Sequence, residues 1–198
     1  AGVRTAWLLG LFLWLAGVAS LSAAEPQYLS LTNGGLIRTF ILYAPDHLPA
    51  TPRPLVLMLH GAGGDGASCM TNTTEDRWNQ QADSNLFLVA YPDGVSNRWH
   101  DCRGDAMNQP PVDDVSFLSA LIDDISTRYP VDPQRIYAAG HSNATVLCLC
   151  LAAELPGRFA AFCVNCGALA AVDDCVVLGQ PPVSLLNCMG TADPTIPF

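Results

Sequence analysis

The sequence predicts an α/β domain with a mostly parallel sheet. Two nearly continuous apolar runs, "RPLVLMLH" (53–60) and "LFLVAYPDG" (86–94), have the character of strands buried on both faces. Such strands alternate with segments of helical spacing, and no internal repeat or linker interrupts them. Glycine-rich or aspartate-containing turns close the runs, at the strand ends where parallel sheets gather their active sites.

In chain order, Arg4 precedes "TAWLLGLFLWLAGVASLSAA", an apolar run ending in small residues. That is the layout of a secretory leader, with Ser22 and Ala24 at the −3 and −1 positions of a cleavage site. The run approaches membrane-spanning length, but the polar "EPQ" behind it favours export over anchoring. The expected organisation is therefore a signal peptide over 1–24 and one domain over 25–198, with no stable membrane association once the leader is gone. "YLSLT" and "LIRTFILYAP" around "GG" predict an N-terminal antiparallel hairpin. The 53–60 strand runs into "GAGGDG", the polar segment 67–84 containing Trp78 and Ala82 predicts a helix, and 86–94 is the next strand. Residues 95–112 form a loop long for a compact domain, of the kind that carries function. Val115, Leu118, Leu121, Ile122 and Ile125 predict a helix, capped by Asp113 or Asp114 and followed by Pro130. "QRIYAAG" is a strand, 143–155 is a helix apolar on nearly every face, and "RFAAFCVNCGA" and "PVSLLNCMG" supply two further strands.

Composition excludes several function classes. All nine basic residues are arginine, against 18 acids, for a net charge of −9. A surface of that sign repels nucleic acid and anionic lipid. Eight cysteines in an exported chain raise the question of disulfides. Cys69, Cys102 and Cys175 fall in predicted loops and are the better disulfide candidates, whereas Cys148 and Cys150 face different directions on a helix. Cys163-Val164-Asn165-Cys166 has C-x-x-C spacing but lacks a second pair, so small core residues are the simpler reading. Nothing calls for a metal or a cofactor.

The chemistry-bearing stretch is "YAAGHSNATV", where Gly140-His141-Ser142-Asn143-Ala144 is G-x-S-x-G with its last glycine replaced. A serine hydroxyl needs a base to remove its proton and donors to hold the oxyanion. A strand–turn–helix elbow exposes the serine and aims the next N–H at the developing charge. The competing reading is a serine that merely caps a helix. His60-Gly61-Ala62-Gly63-Gly64 follows an earlier strand, where an esterase takes its second oxyanion donor. His60, His141 and Trp99 are candidates for a substrate groove; His60 is more commonly a core residue that holds its glycine loop by hydrogen bonds, and Trp78 and Trp99 could equally be core.

"RTFILYAPDHLPATPRPLVLMLHGAGGDGASC", "FLVAYPDGV", "VDDVSFLSALIDDISTRYPVDPQRIYAAGHSN", "ELPGRFAAF" and "GTADPTIPF" resemble the poly(3-hydroxybutyrate) depolymerase/feruloyl esterase family of secreted α/β-hydrolases, over nearly all of 36–198. The resemblance implies Ser142 as nucleophile, Asp193 as triad acid, and an oxyanion hole from the N–H of Asn143 with one from Ala62 or Gly63. It also implies a carboxylic ester substrate, polymeric in kind: polyhydroxyalkanoate, or feruloylated or acetylated polysaccharide. The family continues Ser-Asn with two glycines where this chain has Ala144-Thr145, and has His-x-His where it has Asn187-Cys188-Met189. Both changes are expected to crowd or repolarise the site floor. In this fold the base follows the acid, yet Asp193 stands five residues before the last residue, Phe198, and none of His47, His60, His100 and His141 fits the role. A C-terminally truncated member, lacking the triad histidine and inactive as given, is the expectation. A non-catalytic binding relative and a peptidase on the same fold are the alternatives.

Overall fold

The computed structural model describes residues 24–101, 112–167 and 182–193. The signal segment, Cys102, Cys175 and most of the 95–112 loop lie outside the described residues. Strands β1 (Gln27–Asn33), β2 (Leu36–Tyr43), β3 (Arg53–Leu59), β4 (Leu88–Pro92), β5 (Val131–His141), β6 (Ala161–Asn165) and β7 (Ser184–Cys188) form one sheet of order β1-β2-β4-β3-β5-β6-β7. The β1–β2 hairpin turns on Gly34 and Gly35, whose φ of +58° and +78° suit glycine. β2 pairs antiparallel with β4, and from β4 to β7 every pairing is parallel.

Alternation along β3 explains the layering. Leu55, Leu57 and Leu59 face one core, with helices α3 (Asp114–Arg128) and α4 (Asn143–Glu154), while Val56 and Met58 face the other. That second core holds Cys69, Met70 and Ala82 from the segment between β3 and β4. This segment was expected as a single helix over 67–84. It is instead a short α1 (Gly66–Ser68), a π-helical turn (Cys69–Thr73), and α2 (Arg77–Asn85) after left-handed residues Glu75 and Asp76. Cys69 is buried, and burial pushes the pKa of its thiol up to about 12. Asp113 settles the α3 cap, accepting from the Ser116 N–H at 2.7 Å. The following Asp114 is buried and pairs with buried Arg38 of β2 at 2.6 Å, the Arg38 guanidinium lying over the Phe117 ring. α4 is buried almost throughout, as its apolar composition requires. Among the described residues no helix is long and apolar enough to cross a membrane.

Candidate active site

β5 ends at His141 and α4 begins at Asn143, so Ser142 alone makes the bend. It has φ 56° and ψ −120°, a left-handed conformation unfavourable for a residue with a Cβ, costing about 1–3 kcal/mol. Its backbone is pinned on both sides. The Ser142 N–H donates to Asn165 O at 3.0 Å, and Ser142 O accepts from the Thr145 N–H at 2.9 Å. Its side chain makes no capping bond and the residue is half-exposed, which separates this turn from an ordinary serine cap.

The tight bend depends on Gly140. A Cβ there would lie 2.7 Å from the Ala144 Cβ, so the methyl of Ala144 occupies the room that Gly140 leaves. Thr145 has a similar arrangement with Gly167, where a Cβ would come within 2.2–2.6 Å of its side chain. The Thr145 hydroxyl donates to Asn165 O at 2.9 Å. Ala144 and Thr145 are fully buried. Both pack beneath the bend, Ala144 in the core and Thr145 on the Asn165 carbonyl that also holds the Ser142 N–H.

His60 closes the β3 end. The Gly94 N–H donates to Nε2 at 2.9 Å, so Nδ1 carries the proton and donates to Gly61 O at 2.8 Å. Burial lowers its pKa below 6.5, in keeping with that neutral tautomer. The Trp99 indole N–H donates to His60 O at 2.7 Å, and the two rings sit 4.7 Å apart. His60 and Trp99 are 1% and 0% exposed. Both therefore brace the loops from inside, the alternative to lining a groove. Trp78 packs edge-on against Phe87, at the amino end of β4 and so away from the site edge.

Asn143 joins this network through its side chain. Oδ1 accepts from the Trp99 N–H at 2.8 Å, and Nδ2 donates to Trp99 O at 3.2 Å and to Asp101 Oδ2. As the first residue of α4, its backbone N–H has no acceptor within the helix. Across from it, the Gly63 N–H is already committed to Asn97 O at 2.7 Å. Of the two expected partners that leaves Ala62, which is exposed beside it. Sequence reasoning missed the roles of Gly94, Asn97, Asp101 and Asn165, because each acts through a backbone atom or a long-range bond that no local pattern encodes.

Register places Asp193 on the same edge. His141, Asn165 and Cys188 are aligned across β5, β6 and β7, and Asp193 is half-buried in the turn after β7, its N–H donating to Gly190 O at 3.3 Å. Among the described residues the four histidines are occupied elsewhere. The His141 ring lies over Gly61, where a Cβ would meet its Nε2 at 2.6 Å, and burial lowers its pKa. His100 lines a cavity of about 420 Å³ with Asp101, Asp113, Asp114, Cys150 and Glu154, a cavity that Ser142 does not line. His47 is exposed beyond β2, whose antiparallel course carries it to the opposite edge. No group of three or more His, Cys, Asp or Glu among the described residues is placed to hold a metal ion.

Sheet order and the strand–turn–helix bend at Ser142 define an α/β-hydrolase. A thermostable esterase superimposes with a TM-score of 0.63 at 21% identity, over 87% of this chain and 48% of that one. The acetyl xylan esterase of Aspergillus awamori gives 0.61 at 18%, over 79% and 58%. Residues 38–179 match the family model of the esterase PHB depolymerases, and the chain belongs to that family. Among curated relatives, NocK of Nocardia uniformis subsp. tsuyamanensis, which carries an esterase description, is 34% identical over 83% of this chain and 47% of its own length. The bifunctional acetylxylan esterase/xylanase XynS20E of Neocallimastix patriciarum is 29% identical over 83% and 22%. The poly(3-hydroxybutyrate) depolymerase of Ralstonia pickettii is 28% identical over 77% and 33%. The chain thus spans half or less of the length of these three relatives.

Proposed function

We propose that this chain carries the nucleophile half of an exported serine esterase that cleaves carboxylic esters of a polymer. The strained, uncapped Ser142 between pinned backbone neighbours is the observation that carries this reading. In the proposed reaction Ser142 Oγ attacks the ester carbonyl, and the Asn143 and Ala62 N–H groups hold the oxyanion. Collapse expels the alcohol and leaves an acyl-serine, which water then cleaves. A single hole donor is worth about 10²–10³ in rate, so two fixed amides supply much of the stabilisation. Relatives bearing acetylxylan esterase, feruloyl esterase and poly(3-hydroxybutyrate) depolymerase names support polymer esters as the substrate class.

The proton from Ser142 needs a base, and we assign none of the four histidines to that role. His60 uses both ring nitrogens in loop bonds, and His47 stands at the opposite edge. The 198-residue chain should therefore turn over p-nitrophenyl acetate no faster than its Ser142→Ala variant. Clear Ser142-dependent turnover would show that a base is present in these residues.

A further inference from the structure

We infer that Cys166 and Cys188 form a disulfide site that staples the carboxyl ends of β6 and β7. The Cys166 N–H donates to Cys188 O at 3.0 Å. Adding the N–Cα bond and the O···Cα span caps the Cα···Cα separation at about 6.9 Å, and any bend in that path shortens it into the disulfide range of about 4.4–6.8 Å.

Direction agrees with distance. Asn165 and Cys188 are register partners, so their side chains share a face of the sheet. Cys166 would ordinarily point to the other face, but its φ of 52° breaks the alternation. Its thiol donates to Asn165 Oδ1 at 3.1 Å, which brings the sulfur to the face that Cys188 occupies. Cys163 also shares that face, but it sits two residues before Asn165, on a diagonal of about 7–8 Å to Cys188 that is too long to bridge. Both bonding thiols can be reached, Cys188 being exposed and Cys166 half-buried.

With glutathione disulfide as oxidant the chemistry balances. The Cys188 thiolate attacks one glutathione sulfur and expels a glutathione thiolate. The Cys166 thiolate then attacks Cys188 Sγ and expels the second. Two cysteine thiols lose their protons and two electrons, and one glutathione disulfide becomes two glutathiones. The product closes a loop across the connection between β6 and β7 and fixes the turn of Asp193 beside the strand that pins Ser142.

The test needs only the full chain. It is purified reduced, equilibrated with glutathione disulfide, alkylated, digested without reduction and mapped by mass spectrometry. A peptide pair linking Cys166 to Cys188 is expected. The oxidised chain should melt several degrees higher than the reduced one, and this shift should shrink in Cys188→Ser. Alkylated Cys166 and Cys188, glutathione retained on Cys188, or a bridge from Cys188 to any other cysteine would each overturn the assignment.

Discussion

Individual side chains at the elbow come in complementary pairs. Gly140 accommodates Ala144 and Gly167 accommodates Thr145, so both side chains fit beneath the bend. Gly167→Ala is expected to destabilise the fold by about 1–3 kcal/mol through overpacking, and Thr145→Gly in the same chain to recover part of that loss. Urea melts of the single and double variants would read it, and purely additive effects would deny the coupling. The bend at Ser142, the glycine beneath it and the glycine turn after β3 were legible because each sits in a local pattern tied to a turn. A loop-holding His60 and a core Trp99 were among the readings the sequence offered, but their partners were not legible, since an exposure near zero follows from packing with loops 30 to 40 residues away. Neutral His60 also has a consequence for pH. Its folded pKa lies below the ordinary 6.5, so the unfolded chain takes up the proton first as pH falls. Stability is then held above about pH 6.5 and declines below it, with His141 adding the same sign while Asp93 and Asp65 oppose it at His60. Chemical melts from pH 7.5 to 5 should show this slope, shallower in His60→Gln; an unchanged slope would place the titration elsewhere.

Among elements, order and type followed from hydrophobic pattern. Continuous apolar runs gave β3 and β4, helical spacing gave α3, and the all-round apolar stretch gave the buried α4. The 67–84 segment split because its polar composition sets no strong period, and the left-handed pair Glu75–Asp76 cannot continue a helix. A charged link between elements was invisible to pattern. Arg38 of β2 and Asp114 of α3 stand 76 residues apart in sequence and meet in the core, and Asp114 also accepts from the His100 N–H at 2.6 Å. Asp114→Ala leaves a buried guanidinium without its counter-charge, at a cost of about 3–5 kcal/mol. The expected result is a large fall in denaturation midpoint. A change under about 1 kcal/mol would mean that water or another acid replaces the carboxylate.

At the scale of the molecule, three loops converge on one edge of the sheet. The β3 loop carries Ala62, the β5 bend Ser142 and Asn143, and the β7 turn Asp193, while His60, Trp99 and the Asn143 side chain lock the first two together. The central claim is that this arrangement makes Ser142 a competent nucleophile that wants only a base. The direct measurement is intact-mass detection of acetylated Ser142 after exposure of the chain to p-nitrophenyl acetate, with and without added imidazole as an external base. The account predicts one acetyl group on Ser142 when imidazole is supplied, little without it, and none at that position in Ser142→Ala. Absence of Ser142 acetylation even with imidazole, in a folded chain, would contradict it.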